Sequence, residues 1–341
     1  MFTKIRKIPT VEEICALVPM SPNLLALKGQ RDAEIMNVAQ KKNGKFLLII
    51  GPCSADEENA VCDYVHRLAA VQEKTADKLV IVPRVYTNKP RTTGEGYKGM
   101  LHQPDPESAP NMLDGILAIR RMHVRAISES GLSSADEMLY PDNLSYVEDM
   151  LSYIAVGARS VENQQHRLTV SGVSMPVGMK NPMSGDLTVM LNSVQAAQSG
   201  HDFIYNGYEV KTDGNPLAHA IMRGSVNRHG ESIQNYHYED LLSANEKYKE
   251  RNLKNPMIIV DLNHSNSKKK FKEQIRIARE VLSSRKNSPE LRGLVRGLMI
   301  ESYIEEGAQS VGGGTYGKSI TDACLGWEDT ERLIYYIADN I

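Results

Sequence analysis

The sequence predicts a closed (β/α)8 TIM barrel over residues 46–341, with an N-terminal helical extension over residues 1–45. Eight short strand-like runs alternate with helix-like patterns, and units of this length are typical of a closed barrel of parallel strands. Ionisable residues follow most of the runs, where a barrel would gather its active site. An open doubly wound sheet is the alternative, but the Gly-x-Gly-x-x-Gly turn that it favours is replaced after the first run by Gly51-Pro-Cys-Ser54.

Two helices are predicted in the N-terminal extension. Thr10-Val-Glu-Glu13 is a capping-box pattern that opens a short helix, and Ser21-Pro22 places a proline just inside a second helix that ends near Asn43-Gly44. The extension carries no strong strand signal of its own. We therefore expect it to pack on the barrel or on a partner subunit.

The first predicted strand begins at Phe46 and ends at Gly51-Pro52, where a ladder cannot continue. Its unbroken apolar run is typical of a strand buried on both faces. Ser54-Ala-Asp-Glu57 then predicts a capped helix, and further helices are clearest around Leu113 and Phe271. The other predicted strands are 79–85, 125–128, 153–157, 176–179, 202–205, 257–261 and 294–301.

Composition narrows the class of protein. The net charge of −2 gives no overall basic field that would attract nucleic acid or a membrane surface. The four cysteines form no Cys-x-x-Cys pair, and the N-terminus has no apolar signal core. No run approaches the roughly 18 apolar residues of a membrane span. These features predict a reduced, cytoplasmic protein without a nucleic acid or membrane partner.

Charged side chains dominate the ends of the predicted strands. Cations near apolar strands are unfavourable when buried without partners, so their convergence in a chain of net charge −2 predicts ligands that carry phosphate or carboxylate groups. For any one of these residues, a solvated charge at a loop is the alternative. The strand ends and following loops supply Cys53, Arg84, Lys89, Pro90, Arg91, Thr92, Glu137, Arg159, Lys180, Arg223, His264 and Glu301.

A second subset predicts a divalent metal site. Cys53, His264, Glu301 and Asp322 offer thiolate, imidazole and carboxylate donors, a mixture that suits Mn²⁺, Fe²⁺, Co²⁺ or Zn²⁺. Their scattered spacing gives no motif of its own. Three of the four also have a structural alternative: a small buried side chain for the cysteine, a turn cap for the histidine and a helix N-cap for the aspartate.

Nine segments of the chain together resemble one family. The resemblance covers the chain from about residue 30 to the end, and it is closest to the type I (alpha subgroup) 3-deoxy-D-arabino-heptulosonate 7-phosphate (DAHP) synthases. The segments are Gly51-Pro-Cys-Ser54, Arg84-Val-Tyr86, Lys89-Pro-Arg-Thr92, Gly157-Ala-Arg-Ser160, His166-Arg167, Gly178-Met-Lys-Asn181, Asp261-Leu-Asn-His264, Ile300-Glu-Ser302 and Gly317-Lys-Ser-Ile-Thr-Asp-Ala-Cys-Leu-Gly-Trp-Glu-Asp329. The resemblance implies a transferase that condenses phosphoenolpyruvate with D-erythrose 4-phosphate, the first step of the shikimate pathway to aromatic amino acids.

The resemblance also implies roles for individual residues. Cys53, His264, Glu301 and Asp322 would hold the metal, and catalysis would involve Lys89 as a proton donor, Glu137 beside the attacking water and Asp322. The phosphoenolpyruvate residues would be Arg84 at the carboxylate, and Ala158, Arg159, Lys180 and Arg223 at the phosphate. Lys89, Pro90, Arg91 and Thr92 would bind erythrose 4-phosphate.

Two alternatives to this function remain from the sequence. One is a related condensing synthase that acts on another aldose phosphate, against which Lys89-Pro-Arg-Thr92 argues. The other is a non-catalytic regulatory barrel, against which the full set of metal and phosphate positions argues. A homo-oligomer, either a dimer or a tetramer, is expected from the resemblance.

Overall fold

The computed structural model describes residues 1–91 and 93–341 and contains a barrel of eight parallel strands. The strands are β1 (Phe46–Gly51), β2 (Leu79–Pro83), β3 (Ser134–Glu137), β4 (Leu151–Val156), β5 (Val177–Lys180), β6 (Ala218–Met222), β7 (Ile258–Asp261) and β8 (Val295–Glu301). Neighbours pair in the order β2-β1-β8-β7-β6-β5-β4-β3. Just beyond β2, Arg84 forms a parallel bridge to Ala135 of β3, and the Val85 amide donates to the Ala135 carbonyl at 2.9 Å. The predicted barrel is confirmed.

Helices surround the barrel and precede it. They are α1 (Val11–Leu17), α2 (Pro22–Ala39), α3 (Glu58–Thr75), α4 (Met112–Ser130), α5 (Pro141–Leu144), α6 (Gln164–Gly172), α7 (Leu187–Ala197), α8 (Tyr238–Glu250), α9 (Glu273–Asn287), α10 (Pro289–Leu294) and α11 (Trp327–Asn340), with a 3₁₀ turn over Glu148–Met150. The Thr10 capping box of α1 and the Ser21 cap of α2 are as predicted. Helix α2 ends four residues before Asn43, since Lys41 already adopts a left-handed backbone. None of the helices in the described residues combines the length and apolarity that crossing a bilayer requires.

Three details of the prediction are wrong. Residues 125–128 lie inside α4, and the third strand is the more polar Ser134–Glu137, because a short apolar run does not distinguish helix from strand. Residues 202–205 do form a strand, but it pairs with 208–211 in a partly exposed hairpin, and Ala218–Met222 is the sixth barrel strand. Helix α3 begins at Glu58 under a Glu57 cap rather than at Ser54.

The barrel has two apolar layers. Alternate residues of β1 face opposite ways: Leu48 packs outward toward the helices, and Leu47 packs inward. The inner layer also includes Ile35 and Val38 of α2, so this helix closes the amino-terminal end of the barrel. We call that end, with the buried Tyr153 and His219 pair, the floor. The opposite end, where the strands terminate, is the mouth.

Candidate functional site

A cavity of about 480 Å³ opens at the mouth of the barrel. Its walls come from strand ends and from the loops that follow them, as the barrel prediction requires. Glu301 lies behind this wall in contact with Arg84, and Thr92 lies outside the described residues. The predicted site residues that line the cavity are Cys53, Arg84, Lys89, Pro90, Arg91, Glu137, Ala158, Arg159, Lys180, Arg223, His264 and Asp322.

Three predicted metal ligands form a compact group. The Cys53 thiol and one carboxylate oxygen each of Glu301 and Asp322 all lie within 4.8 Å of one another. Cys53 follows β1, Glu301 ends β8, and Asp322 lies in the loop before α11. Cys53 and Glu301 are each only 1% exposed. Parallel strands thus bring together donors that are far apart in sequence.

His264 lies outside that compact group but touches it. Its Nε2 atom is 3.7 Å from Oε1 of Glu301, and its Nδ1 atom is 2.9 Å from Oδ2 of Asp261. The backbone of His264 is left-handed, with φ of 51°, a conformation that is uncommon outside glycine and often occurs at functional sites. A histidine that ligates a metal typically has its second ring nitrogen held by a carboxylate. Asp261 stands in that place.

The donor set fits a divalent cation. Thiolate, imidazole and carboxylate ligands together suit the first-row transition metals rather than Mg²⁺ or Ca²⁺. Burial raises the pKa of the Cys53 thiol, as does the charge of Glu301, whereas the nearby Lys89 lowers it. Lys89 donates to the Cys53 sulfur at 2.7 Å and to Asp322 Oδ2 at 3.0 Å. A positive charge is therefore favoured among these donors.

Residues around Glu301 hold this ligand in place. Burial alone would raise the pKa of Glu301, but the Arg84 guanidinium, His264 and Lys89 keep it well below the usual value. Asn263 Nδ2 donates to Glu301 Oε2 at 2.5 Å. Gln274 bonds both the amide and the carbonyl of Glu301, at 2.8 and 2.9 Å. Arg84 Nη1 lies 2.5 Å from the second carboxylate oxygen, Oε1. The Glu301 carboxylate is therefore ionised, and both of its oxygens have a partner.

A group of cations forms the opposite wall. Lys180 Nζ lies 3.5 Å from Asp261 and 3.9 Å from Glu137. Arg223 has no salt bridge to the described residues; its Nη1 contacts only the Ser265 hydroxyl at 3.3 Å and the sulfur of Met183 at 3.5 Å. Burial, and to a lesser degree the like charge of Arg159, lower the pKa of Arg223. This side of the cavity is therefore suited to an anion.

The loop after β2 forms the third wall. Lys89, Pro90 and Arg91 line it, and Arg91 Nε donates to the Tyr97 carbonyl at 2.8 Å. Tyr86 lies beneath the site, with its ring centroid 4.0 Å from the guanidinium carbon of Arg84. The aromatic ring and Glu301 together orient the guanidinium.

Several residues at the mouth were not predicted as site residues. Asp261 lies against His264, and Asn263 donates a hydrogen bond to Glu301. Their place in the segment Asp261-Leu-Asn-His264 could have indicated a role at the site. Lys268 and Lys269 line the cavity with left-handed backbones, and Lys269 Nζ is 3.6 Å from Asp322. Their sequence, in a run of three lysines, resembles an ordinary solvated loop.

Comparison with known proteins places the chain in a family. The model of the DAHP synthetase I family matches residues 25–334. The phospho-2-dehydro-3-deoxyheptonate aldolase of Haemophilus influenzae is 35% identical over 350 residues, which cover 99% of this chain and 94% of that protein. The Phe-sensitive aldolase of the same name from Escherichia coli (strain K12) is 35% identical over 315 residues, covering 90% of this chain and 87% of that one.

A solved structure gives the same assignment for the fold. The phospho-2-dehydro-3-deoxyheptonate aldolase from Francisella tularensis SCHU S4 superposes with a TM-score of 0.93 at 28% identity, covering 100% of this chain and 98% of that chain. The similarity thus includes the extension as well as the barrel. By sequence match and by fold, this chain belongs to the DAHP synthetase I family.

Proposed function

We propose that the mouth cavity is the active site of a metal-dependent DAHP synthase. As a member of its family, the chain condenses phosphoenolpyruvate with D-erythrose 4-phosphate to give DAHP and inorganic phosphate, the first step of the shikimate pathway. One observation carries the assignment of the site: a thiol and two carboxylates lie within 4.8 Å of one another at the wall of the cavity that Arg159, Lys180 and Arg223 also line. That combination suits a metal beside a phosphorylated anion.

We assign the metal to Cys53, His264, Glu301 and Asp322. When bound there, a divalent ion supplies Lewis acidity that polarises the aldehyde carbonyl of erythrose 4-phosphate. The donor chemistry does not favour one of Mn²⁺, Fe²⁺, Co²⁺ and Zn²⁺ over the others. Asp261 supports the assignment, since its carboxylate lies 2.9 Å from the second ring nitrogen of His264.

Phosphoenolpyruvate lies against the cationic wall in this proposal. Arg84 pairs with its carboxylate, and Arg159, Lys180 and Arg223 bind its phosphate with help from the backbone at Ala158. Guanidinium groups match both anions because their paired N–H groups are spaced for two oxygens. Arg223 supports this orientation, because it forms no salt bridge with the described residues and a bound phosphate would supply one.

Erythrose 4-phosphate enters beside the β2 loop. Arg91 and, from the family resemblance, Thr92 hold its phosphate, and Pro90 shapes the loop between them and Lys89. The Lys89 ammonium then lies next to the aldehyde, close to Cys53 and Asp322. Two substrates of like charge would repel each other in water, and the surrounding cations offset that repulsion while they fix the reacting carbons in place.

Lys89 and Glu137 serve successive steps of the proposed condensation. C3 of phosphoenolpyruvate forms a bond to the aldehyde carbon, and the aldehyde oxygen takes a proton from Lys89 to become a hydroxyl. Water adds to C2, where positive charge develops, and the proton that it releases returns to Lys89. The C2–O bond to phosphate then breaks, and the C2 hydroxyl gives its proton to the departing phosphate to leave the ketone. Glu137 is positioned to orient that water, since its side chain lines the cavity 3.9 Å from Lys180.

A phosphate-release assay tests the proposal. With both substrates present, phosphate release should require the metal: chelation should abolish it and Mn²⁺ should restore it. Cys53→Ala should lower activity by at least about 100-fold, since a lost ligand weakens the site more than its supporting residues do. Cys62→Ala is the matched control, because Cys62 is equally buried but lies on α3. Full activity after exhaustive chelation, or in Cys53→Ala, would contradict the metal assignment.

The choice of aldose phosphate is tested in the same assay. Erythrose 4-phosphate should support phosphate release, and arabinose 5-phosphate should not. Faster turnover with the five-carbon sugar would make the chain a different condensing synthase. Cytoplasmic location and a homo-oligomeric state remain part of the proposal; size-exclusion chromatography with light scattering tests the latter.

A further inference from the structure

The carboxylate of Asp136 lies buried beside the active site and makes three hydrogen bonds. Its Oδ1 atom accepts from the Thr87 amide at 2.9 Å and from the Glu137 amide at 2.6 Å. Its Oδ2 atom accepts from the Thr87 hydroxyl at 2.5 Å. Asp136 is 4% exposed and does not line the cavity. It therefore acts on its neighbours and not on a substrate.

Thr87 is the residue that this carboxylate holds. It lies in the loop after β2, two positions before Lys89, and is fully buried. Its carbonyl accepts from the Leu101 amide at 3.2 Å, and its hydroxyl accepts from Asn88 Nδ2 at 3.3 Å. Thr87 thus joins β3 to the loop that carries Lys89.

No ion pair among the described residues compensates the buried carboxyl group of Asp136. It forms no salt bridge with any residue that the structure describes. Its pKa is raised to about 7, chiefly by burial and in smaller part by the Glu137 charge, because the opposing hydrogen bonds from Thr87 and the Glu137 amide only partly offset these effects. An unpaired buried carboxylate is unfavourable, and such groups occur where a site needs them. The Asp136 carboxylate instead accepts hydrogen bonds from the amide and hydroxyl of Thr87 and from the Glu137 amide.

We propose that Asp136 is a positioning residue for the condensation, acting through Thr87 to fix Lys89 relative to Glu137. The proposal rests on the proposed function. Lys89 reaches Cys53 and Asp322 from the β2 side of the mouth, and Glu137 reaches Lys180 from the β3 side. The Asp136 carboxylate links these two sides through side-chain bonds, in addition to the backbone contacts of Ala135 with Arg84 and Val85. If those side-chain bonds are lost, the loop is free to shift, and displacements of about 1 Å are enough to slow an enzyme about 100-fold.

Thr87→Val is the first test, because it removes the hydroxyl at nearly constant volume. We expect kcat to fall about 10- to 100-fold, the range seen when supporting hydrogen bonds of a site are removed. The KM for phosphoenolpyruvate should stay within about twofold of the wild-type value, since its cationic wall is untouched. Asp136→Asn should show the same pattern more weakly, because an amide oxygen still accepts from the two backbone amides but its NH₂ faces the Thr87 hydroxyl.

Two controls separate positioning from general destabilisation. Thr87→Ser keeps the hydroxyl and should restore kcat to within about threefold of the wild-type value. Thr75→Val removes a similarly buried hydroxyl, which donates to the Val71 carbonyl within α3, and should leave kcat unchanged. If Thr87→Val does not fold, Asp136→Asn and Thr87→Ser carry the comparison.

The outcomes separate this proposal from the proposed function. Wild-type phosphate release from both substrates tests the function; the variants test only Asp136 and Thr87. Unchanged kcat in Thr87→Val and Asp136→Asn would overturn the positioning role. So would a fall in kcat that Thr87→Ser shares or that Thr75→Val reproduces.

Discussion

The mouth and the floor of the barrel both contain buried polar groups, but they satisfy them differently. At the floor, the Tyr153 hydroxyl is 2.7 Å from His219 Nε2, and His219 Nδ1 is 2.8 Å from the Leu217 carbonyl. Both side chains are neutral and each finds its partner within the protein. At the mouth the groups are ions, and Arg223 lacks a carboxylate partner in the described part of the chain. The floor is built for stability and the mouth for ligands.

The largest expected effect comes from removing Arg223, the cation at the mouth that forms no salt bridge with the described residues. Arg223→Met should raise the KM for phosphoenolpyruvate by about 100-fold or more, since a charged partner of the phosphate is lost. The free energy of unfolding should rise by about 1 kcal/mol, because the variant no longer buries a charge without a carboxylate. Steady-state kinetics and urea denaturation measure the two effects.

The matched control is Arg285→Met. Arg285 is also buried, bonds the Val295 carbonyl at 2.8 Å and packs over Phe46, at the opposite end of the strands. This control should leave the KM for phosphoenolpyruvate unchanged. If Arg223→Met lost stability and kept its KM for phosphoenolpyruvate, Arg223 would be a structural residue, and the mouth would not differ from the floor in this respect.

The second effect is the pH dependence of stability at the floor. Burial lowers the pKa of His219 from 6.5 to about 4, although its bond to the Leu217 carbonyl opposes the shift. Between pH 6.5 and 4 the unfolded chain binds a proton at this histidine that the folded chain does not bind. The contribution of His219 to the free energy of unfolding is therefore fully present above pH 6.5 and is lost as the pH falls toward 4. This group should reduce the free energy of unfolding by about 2 kcal/mol between pH 7 and 5.

The double variant Tyr153→Phe/His219→Leu isolates this contribution. It removes the titrating group together with its partner, so no polar atom of the pair is left unsatisfied. Urea denaturation at pH 7 and pH 5 should show a fall in stability that is about 2 kcal/mol smaller than in the wild type. Equal falls in both proteins would mean that the pKa of His219 is the same in the folded and unfolded states, contrary to the expected lowering.

The smallest effect is expected for Tyr153→Phe alone. This variant leaves Nε2 of His219 without its donor, which should lower the free energy of unfolding by about 1 kcal/mol. The kinetic constants for both substrates should not change, because neither residue lines the mouth cavity. A change in the KM for either substrate would show that the floor and the mouth are coupled.

The sequence predicted the chemistry of the mouth better than the strands that build it. The third strand was missed because Ser-Ala-Asp-Glu is polar, and it is polar because its carboxylates serve the site and the β2 loop. The sixth was missed because Ala218–Met222 includes His219, which belongs to the floor pair, whereas the hairpin strand 202–205 has more aromatic character. In both cases a functional or buried polar residue interrupted an apolar pattern.

The sequence by itself determined the alternation of strands and helices, and the kinds of donor and cation that follow the strands. The tertiary structure alone decided which of them meet: Cys53 lies 3.6 Å from Asp322 across 269 positions of sequence, and Asp136 is bonded to Thr87 across 49. The physical reason is that local propensity acts over a few residues, whereas closure of the barrel brings all eight strand ends to a single mouth.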